Sequence, residues 1–476
     1  MIADFSHCQL GCCSATLLPS KSYLVNQFFD VDRSGTGFAL NTAWLGGIET
    51  MNISLKRTFW IFFALLWVGG FAIAKPTWLT EFPYGNLNGF STDLKLLPNG
   101  NVIAASGSIV NHGPIVLNVS LNDPQSGKLL RALQVPFSVD EVDVVDMAVN
   151  SSGETYILST LYNFFGGTPA HQAYLTKLDS GLHILWNRRV SSNSEAYALE
   201  MDSKQNVVVG LGDYTISKYN LDGKLIWSTS LNNPVLIARA MKIDSANNIY
   251  VLGNNEVSSS SYKLDVAMFN SSGTLIWEVT MGGISDWVKQ DTSAITINGG
   301  IFVATPIDTP VSGILVAKLN SAGNILWSTV LPPYGSTYWV GGIEFSSDII
   351  LWEDVVYVAF QSDSNAVAIK LDATYGFQYW RMSNPGYLAQ QANYAPNEGG
   401  KADQCGTFLI GARDANSNGG LLSFDHYGNP TFDSAGYGMD PPGGLELDTS
   451  NNIYLGGEGP TKFNLTTMKF PARVCH

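Results

Sequence analysis

Apolar and polar residues along most of this chain alternate in short runs, interrupted every few positions by glycine, asparagine or aspartate. The segment Lys218-Tyr219-Asn220-Leu221-Asp222-Gly223-Lys224-Leu225-Ile226-Trp227 reads as strand, tight turn, strand. Glycine supplies the positive φ of such a turn, and the flanking branched and aromatic residues favour extended backbone. The same string returns from Met268 to Trp277 and from Lys318 to Trp327. A second hairpin precedes it, as in Ala240 to Gly253, where Asp244-Ser245-Ala246-Asn247-Asn248 separates two apolar runs, and it recurs from Leu445 to Gly456. Two hairpins per unit predict four antiparallel strands, and the repeat carries no helical periodicity.

The unit itself recurs. Trp78, Arg131, Trp186, Trp227, Trp277, Trp327, Trp380 and Phe432 mark equivalent positions, at intervals from 41 residues (Trp186 to Trp227) to 55 residues (Arg131 to Trp186). Four strands per period of this size predict the blades of a β-propeller, whereas a β-helix would need much shorter coils. With strands lettered A to D from the axis outward, the A–B–C sets are expected to begin near Ser91, Val142, Ala196, Ala240, Thr292, Gly341, Ala392 and Gly444. The last set, ending near Asn464, has no D strand after it, while Trp78-Leu79-Thr80-Glu81-Phe82 is a D strand with no set before it. The sequence therefore predicts an all-β, eight-bladed β-propeller over residues 75–470. Its ring is closed by the N-terminal strand near Trp78, which removes the open edge. Seven blades is the alternative, if two sets merge. Residues 471–476 read as a C-terminal tail.

The Asp-x-x-x-Asn-Ile-Tyr-Val-Leu-Gly hairpin, followed by Asn-x-x-Gly-x-Leu-Ile-Trp, resembles the bacterial SBBP-type β-propeller repeat. More loosely it is similar to the repeats of pyrroloquinoline-quinone (PQQ)-like quinoproteins, whose propellers are also eight-bladed. The resemblance spans nearly all of residues 76–470 and implies fold more than activity, since the repeat occurs in surface and secreted proteins of many roles. The turns here are Asp-Gly, Ser-Gly and Ala-Gly where quinoprotein blades usually carry Thr-Gly, and the sequence shows no paired cysteines or metal cluster that would mark a quinone site.

Composition adds the compartment. Only 14% of residues are charged, 47 are glycine, and the net charge is −14, so the summed field repels phosphate backbones and nucleic acid is excluded as a partner. Met51-Asn52-Ile53-Ser54-Leu55-Lys56-Arg57, the apolar run 58–74 and Ala72-Ile73-Ala74 make a secretory signal peptide over 51–74, with cleavage expected before Lys75. Residues 1–50 lack the repeat and read as a non-native or disordered upstream extension. The rival is a signal anchor that keeps Lys56 and Arg57 cytoplasmic and holds the propeller at the cell surface, the one case in which a membrane is a partner. The expected location is otherwise secreted, extracellular or periplasmic, as a monomer. Cys405 and Cys475 are the cysteines of the exported part, a natural disulfide pair in an oxidising compartment. The upstream cluster His7, Cys8, Cys12 and Cys13 fits no zinc spacing.

Candidate chemistry is sparse. The tryptophans of the D strands share one place in the repeat and are expected to be blade-to-blade packing. Asp414, Asn416 and Asn418, with Asp425 at the twelfth position, have the oxygen-ligand spacing of a calcium loop, although Asp replaces the usual Glu and no helices flank it. A plain B–C turn is the other reading, and calcium is the one cofactor considered. The mature chain's histidines stand apart, and no nucleophile has a Gly-x-Ser-x-Gly context.

The stretches entering successive blades carry Tyr84, Trp287, Tyr334, Trp339, Tyr387 and Tyr437, several beside Pro or Gly. Aromatic faces with polar tips on rigid turns make contact surfaces for glycans or extracellular proteins, while ordinary turn chemistry is the alternative. Asn118, Asn150, Asn270 and Asn464 fit the N-glycosylation pattern, relevant in a eukaryotic host. The function expected is a secreted or surface non-enzymatic propeller binding a glycan or protein through this Tyr-rich face. The alternatives are an extracellular enzyme of quinoprotein or lyase type, with a metal or quinone in the channel, and a structural surface repeat protein.

Overall fold

In each repeat the alternation folds as strands because every second side chain enters a blade interface. Blade 3 shows the plan: strands A to D are Ala196–Met201, Val207–Leu211, Thr215–Tyr219 and Leu225–Ser230, paired antiparallel in chain order. The turns between them use one device. In the C–D turn of blade 3 the Asn220 backbone N–H donates to the Lys224 carbonyl (2.9 Å), and Asn220 Oδ1 accepts from the N–H groups of Asp222 (3.0 Å) and Lys224 (2.8 Å). Asp244 and Asp448 repeat it in A–B turns, where an asparagine at positive φ stands in the glycine's place.

The computed structural model describes residues 75–82, 92–109, 115–165, 170–231, 237–258, 261–284, 293–308, 312–332, 338–348, 353–362, 365–385, 387–389, 400–403, 405–414, 419–433, 442–458 and 465–471. Their strands form eight sheets, and no α-helix occurs among the described residues. The innermost strands touch in sequence around a ring, and Pro442–Leu447 of blade 8 returns to Thr92–Leu96 of blade 1. Eight blades are therefore present, and none of the predicted sets merge. At the closure the two backbones come so near that a Cβ on Gly443 would fall 1.7 Å from Thr92 Oγ1 and 2.1 Å from its carbonyl oxygen. Trp78–Glu81 completes blade 8 as expected, with Trp78 opposite Lys469 and Glu81 opposite Thr466.

No single core fills the ring. Each blade junction has its own apolar cluster, such as Tyr250, Leu252, Val303 and Ala317 between blades 4 and 5, or Tyr357, Phe408 and Phe424 between blades 6 and 7. The period-marking tryptophans fasten these junctions from outside. Trp277 Nε1 donates to the Ser321 carbonyl of the next blade (2.9 Å), and Trp227 does the same to Ser271 (3.2 Å). The turn glycine of that next blade lies flat on the indole: a Cβ on Gly323 (φ +81°) would come within 2.7 Å of Trp277 Cδ2. A strand-C lysine donates to the same carbonyl at several junctions, including Lys318 Nζ with Trp327 Nε1 on Ala373 and Lys370 Nζ with Trp380 Nε1 on His426.

Blade 7 departs from the expected boundaries. Its innermost strand starts at Tyr387 rather than near Ala392, and it is split into Tyr387–Ala389 and Gly400–Ala402, both paired with Phe408–Asp414. The sequence pattern failed here because the two pieces, of three residues each, are too short to show alternation.

Candidate functional site

The innermost strands place one residue of each blade opposite the second residue of strand B, or in blade 6 opposite Tyr357, the fifth of Glu353–Ser362, and this register defines a ring about the axis. Its members are Lys95, Ala148, Glu200, Lys242, Thr296, Glu344, Lys401 and Glu446. Three lysines and three glutamates balance in charge. Contacts between adjacent blades follow the alternation: Lys95 Nζ reaches Glu446 Oε1 at 3.6 Å, Lys401 Nζ reaches Glu446 Oε2 at 3.8 Å, and Lys242 pairs with Glu200.

Two residues earlier on the same strand face, a second layer holds Asp93 and Asp146 in adjacent blades, whereas blades 3, 4, 5, 6 and 8 contribute Ala198, Ala240, Ala294, Gly342 and Gly444. Asp146 Oδ1 accepts from its neighbour Met147 N–H (2.8 Å), and Oδ2 accepts from Leu199 N–H of blade 3 (3.0 Å). Asp93 Oδ1 accepts from Leu94 N–H (2.6 Å) and lies 3.4 Å from Lys95 Nζ, while its buried Oδ2 has no hydrogen-bond partner among the described residues. A cavity of about 270 Å³ opens beside Asp146, bounded by both layers in blades 2 to 4 and by Lys95, Lys401 and Glu446 of the ring in blades 1, 7 and 8.

Burial governs the titration of this cluster. It pushes the Asp146 carboxyl up to about 7, helped by the charges of Asp93 and Glu200 and opposed by Lys95 and Lys242. Burial likewise raises Asp93 and Glu344 above the usual carboxylate range. Burial acts to lower Lys242, but the Glu200 carboxylate outweighs it, and Glu446 holds Lys401 charged in the same way.

None of these residues was singled out by the motif search, because no two lie in one linear motif. The signal was present in the repeat alignment: Glu200, Lys242 and Glu446 each stand two residues before the aspartate that opens an A–B turn. That ring lies at the A–B turn end of the innermost strands. The aromatic positions belong to the opposite end, where strand D of one blade enters strand A of the next. Of them, Trp339 and Tyr387 stand in strands rather than in connections, at the leading ends of the innermost strands of adjacent blades 6 and 7. Tyr84, Trp287, Tyr334 and Tyr437 lie outside the described residues.

The calcium arrangement is not assembled. Asp414 ends strand B of blade 7, and Asp425 lies beyond the far end of Gly419–Phe424, a six-residue strand that spans roughly 20 Å. Asp425 is used instead in the C–D turn, with Oδ1 accepting from Tyr427 and Asn429 N–H and Oδ2 from Asn429 Nδ2. Asn416 and Asn418 are outside the described residues, and no group of three potential metal ligands occurs among the described residues. Asn118 is fully buried in strand C of blade 1, and Asn150 is buried with Nδ2 donating to Glu154 and Gln205, so neither offers its amide to a glycan in the folded ring. Asn270 sits partly exposed in a C–D turn, and Asn464 is not described. Cys405 is buried, and Cys475 lies outside the described residues.

Fold and site together define an eight-bladed β-propeller with a charged axial channel. No family model and no curated protein sequence matches the chain, so the SBBP-type resemblance rests on the repeat string alone. Among solved structures, the propeller of Dos1 is similar with a TM-score of 0.57 at 9% identity, covering 84% of this chain and 97% of that one. BamB from Moraxella catarrhalis gives 0.50 at 12% identity over 84% and 100%. The quinohemoprotein alcohol dehydrogenase from Comamonas testosteroni gives 0.51 at 10% identity over 84% and 78%. Likeness at these identities shows the fold. Among the described residues no helix is long and apolar enough to cross a membrane.

Proposed function

We propose that this protein is an exported binding propeller that holds a glycan or protein ligand at the mouth where strand D of each blade leads into the next. The observation that carries the reading is the position of Trp339 and Tyr387, brought to the same end of neighbouring innermost strands. A ring fastened at its junctions by tryptophan and lysine keeps such positions fixed, so little ordering entropy is lost on binding. Export by the segment 51–74 and a Cys405–Cys475 bridge belong to the same reading. Support for the bridge comes from Cys405, which is buried.

The test is a glycan and secreted-protein binding screen with residues 75–476, followed by Trp339→Ala and Tyr387→Ala. At least tenfold weaker binding in both, with unchanged melting temperature, is expected. Full affinity in the double variant would refute the assignment of this mouth.

A further inference from the structure

Across the ring from Trp339 and Tyr387 the same mouth carries a second group of rings, which shares no residue with the reading above. Among the described residues, the exposed large apolar side chains belong to strands D and the C–D turns, with two exceptions: Phe164 (56% exposed) and Phe165 (76%), which follow strand B of blade 2, Thr155–Tyr162. Both are held in place. Phe164 lies parallel to the buried Tyr162 (centroids 5.6 Å apart, 10° between planes), and the His171 ring meets the same tyrosine edge-on at 5.1 Å. The Phe165 N–H donates to Asp140 Oδ2 (3.0 Å). Rings this exposed gain little burial from such order, but a ligand that stacks on them loses less entropy.

The polar side of the group comes from the next blade. Ala196 N–H donates to Thr160 Oγ1 (3.0 Å), which sets the entry to strand A of blade 3 against strand B of blade 2. Glu195 thereby stands beside His171, with Oε1 3.0 Å from Nδ1, close enough for an ion pair but off the line of a hydrogen bond. Its Oε2 accepts from the Tyr197 hydroxyl, which fixes the plane of the carboxylate. An ionised carboxylate offers about four acceptor positions, so most of those on Glu195 stay open to a ligand. Arg239 is buried against the Tyr197 ring at 4.0 Å and presents no cation here, so Asp140, Glu195 and the net charge of −14 oppose an anionic ligand.

We infer that the B–C turn of blade 2 and the entry to blade 3 bind a short neutral glycan, stacked on Phe164 and Phe165 and hydrogen-bonded through its hydroxyls to Glu195. The C–H face of a pyranose suits the negative face of an aromatic ring, and neighbouring hydroxyls suit the paired oxygens of a carboxylate. The contacts from Phe164 through Tyr162 and His171 to Glu195 are continuous, which brings rings and acid within reach of one oligosaccharide.

The experiment is isothermal titration of the purified protein with cellotetraose, maltotetraose, mannotetraose and tetra-N-acetylchitotetraose, with tetragalacturonate as the acidic control. Saturable binding of at least one neutral saccharide is expected. It should be about tenfold weaker for Phe165→Ala and for Glu195→Gln, both with the melting temperature of the parent. The double variant Trp339→Ala, Tyr387→Ala should bind the saccharide like the parent, which separates this site from the one proposed above. Absence of binding by every neutral saccharide overturns the inference, as does binding that Phe165→Ala and Glu195→Gln leave intact, or a preference for tetragalacturonate. So does a protein ligand whose capture needs Phe165 while no saccharide competes with it.

Discussion

Trp78 Nε1 and Lys469 Nζ donate to the same acceptor, the carbonyl oxygen of Pro124, at 3.2 and 3.0 Å, although they are 391 residues apart in the chain. The pair reproduces in the closing blade what Trp327 and Lys318 do within one blade. Junction chemistry is thus the same at the closure as elsewhere, with its two donors drawn from opposite ends of the propeller.

Truncating this junction should loosen the whole ring. Trp78→Ala removes a buried indole and is expected to cost about 3–5 kcal/mol, and Lys469→Met, which keeps the stem, about 1.5–3 kcal/mol. Because both donors share one oxygen, the double variant should cost less than the two together. Urea unfolding monitored by circular dichroism gives the cycle, and strict additivity would show that the shared acceptor has no energetic meaning.

Of the two marker positions that are not tryptophan, Arg131 and Phe432, the first makes a sharper case. Blade 1 has Arg131 in place of the indole, and the facing C–D turn of blade 2 has Leu182 at φ +61°, fully buried, where other turns have glycine. The leucine fills the room that a tryptophan would take, while Arg131 Nη1 lies 2.6 Å from His183 Nε2. Arg131→Trp alone should overpack and cost about 1–3 kcal/mol, and Leu182→Gly alone should leave a cavity. The double variant is expected to be more stable than either single one. Thermal melts of the three proteins decide it.

Stability should fall as pH rises from acid toward neutral. Glu278 is pushed up to about 7, chiefly by burial and then by Asp265, which is itself buried. Between its ordinary value of 4.5 and about 7 the folded chain binds more protons than the unfolded one, so the folded state loses ground across that window and the loss is complete above it. Glu278 is largely solvent-screened, which limits the effect to about 1 kcal/mol. Glu278→Gln should flatten the slope and raise the melting temperature at pH 8. An unchanged profile between pH 4.5 and 7 would refute the assignment.

A bridge between Cys405 and Cys475 should appear as a mass two daltons below that of the reduced exported chain. Its removal by Cys405→Ser with Cys475→Ser should cost about 2–4 kcal/mol, chiefly through the freedom that the unfolded chain regains. Identical melting with and without reductant would leave the bridge without a stabilising role.

The fold was legible because its signals are local and repeated: a turn residue in each hairpin and a tryptophan in six of the eight periods, as at Asp222-Gly223 and Trp227. Closure by Trp78 was legible by counting strands. The charged ring was not, since Lys95, Glu200 and Lys401 stand in different blades and are brought to one level only when the ring closes around its axis. The calcium spacing at Asp414 misled for the complementary reason. Residues close in sequence are carried to opposite ends of a hairpin once the stretch between them becomes a strand.

Strand Trp78–Glu81 is made first and its partner Leu465–Phe470 near the end, which imposes an order on biosynthesis. At about 5–20 residues per second the first strand waits roughly 20–80 s for its mate, with an unsatisfied backbone ladder while the rest of the nascent chain emerges. A vectorially synthesised molecule of this design passes through a long-lived, sticky-ended open form. Its yield in any host then depends on how well that one edge is shielded until the terminus arrives.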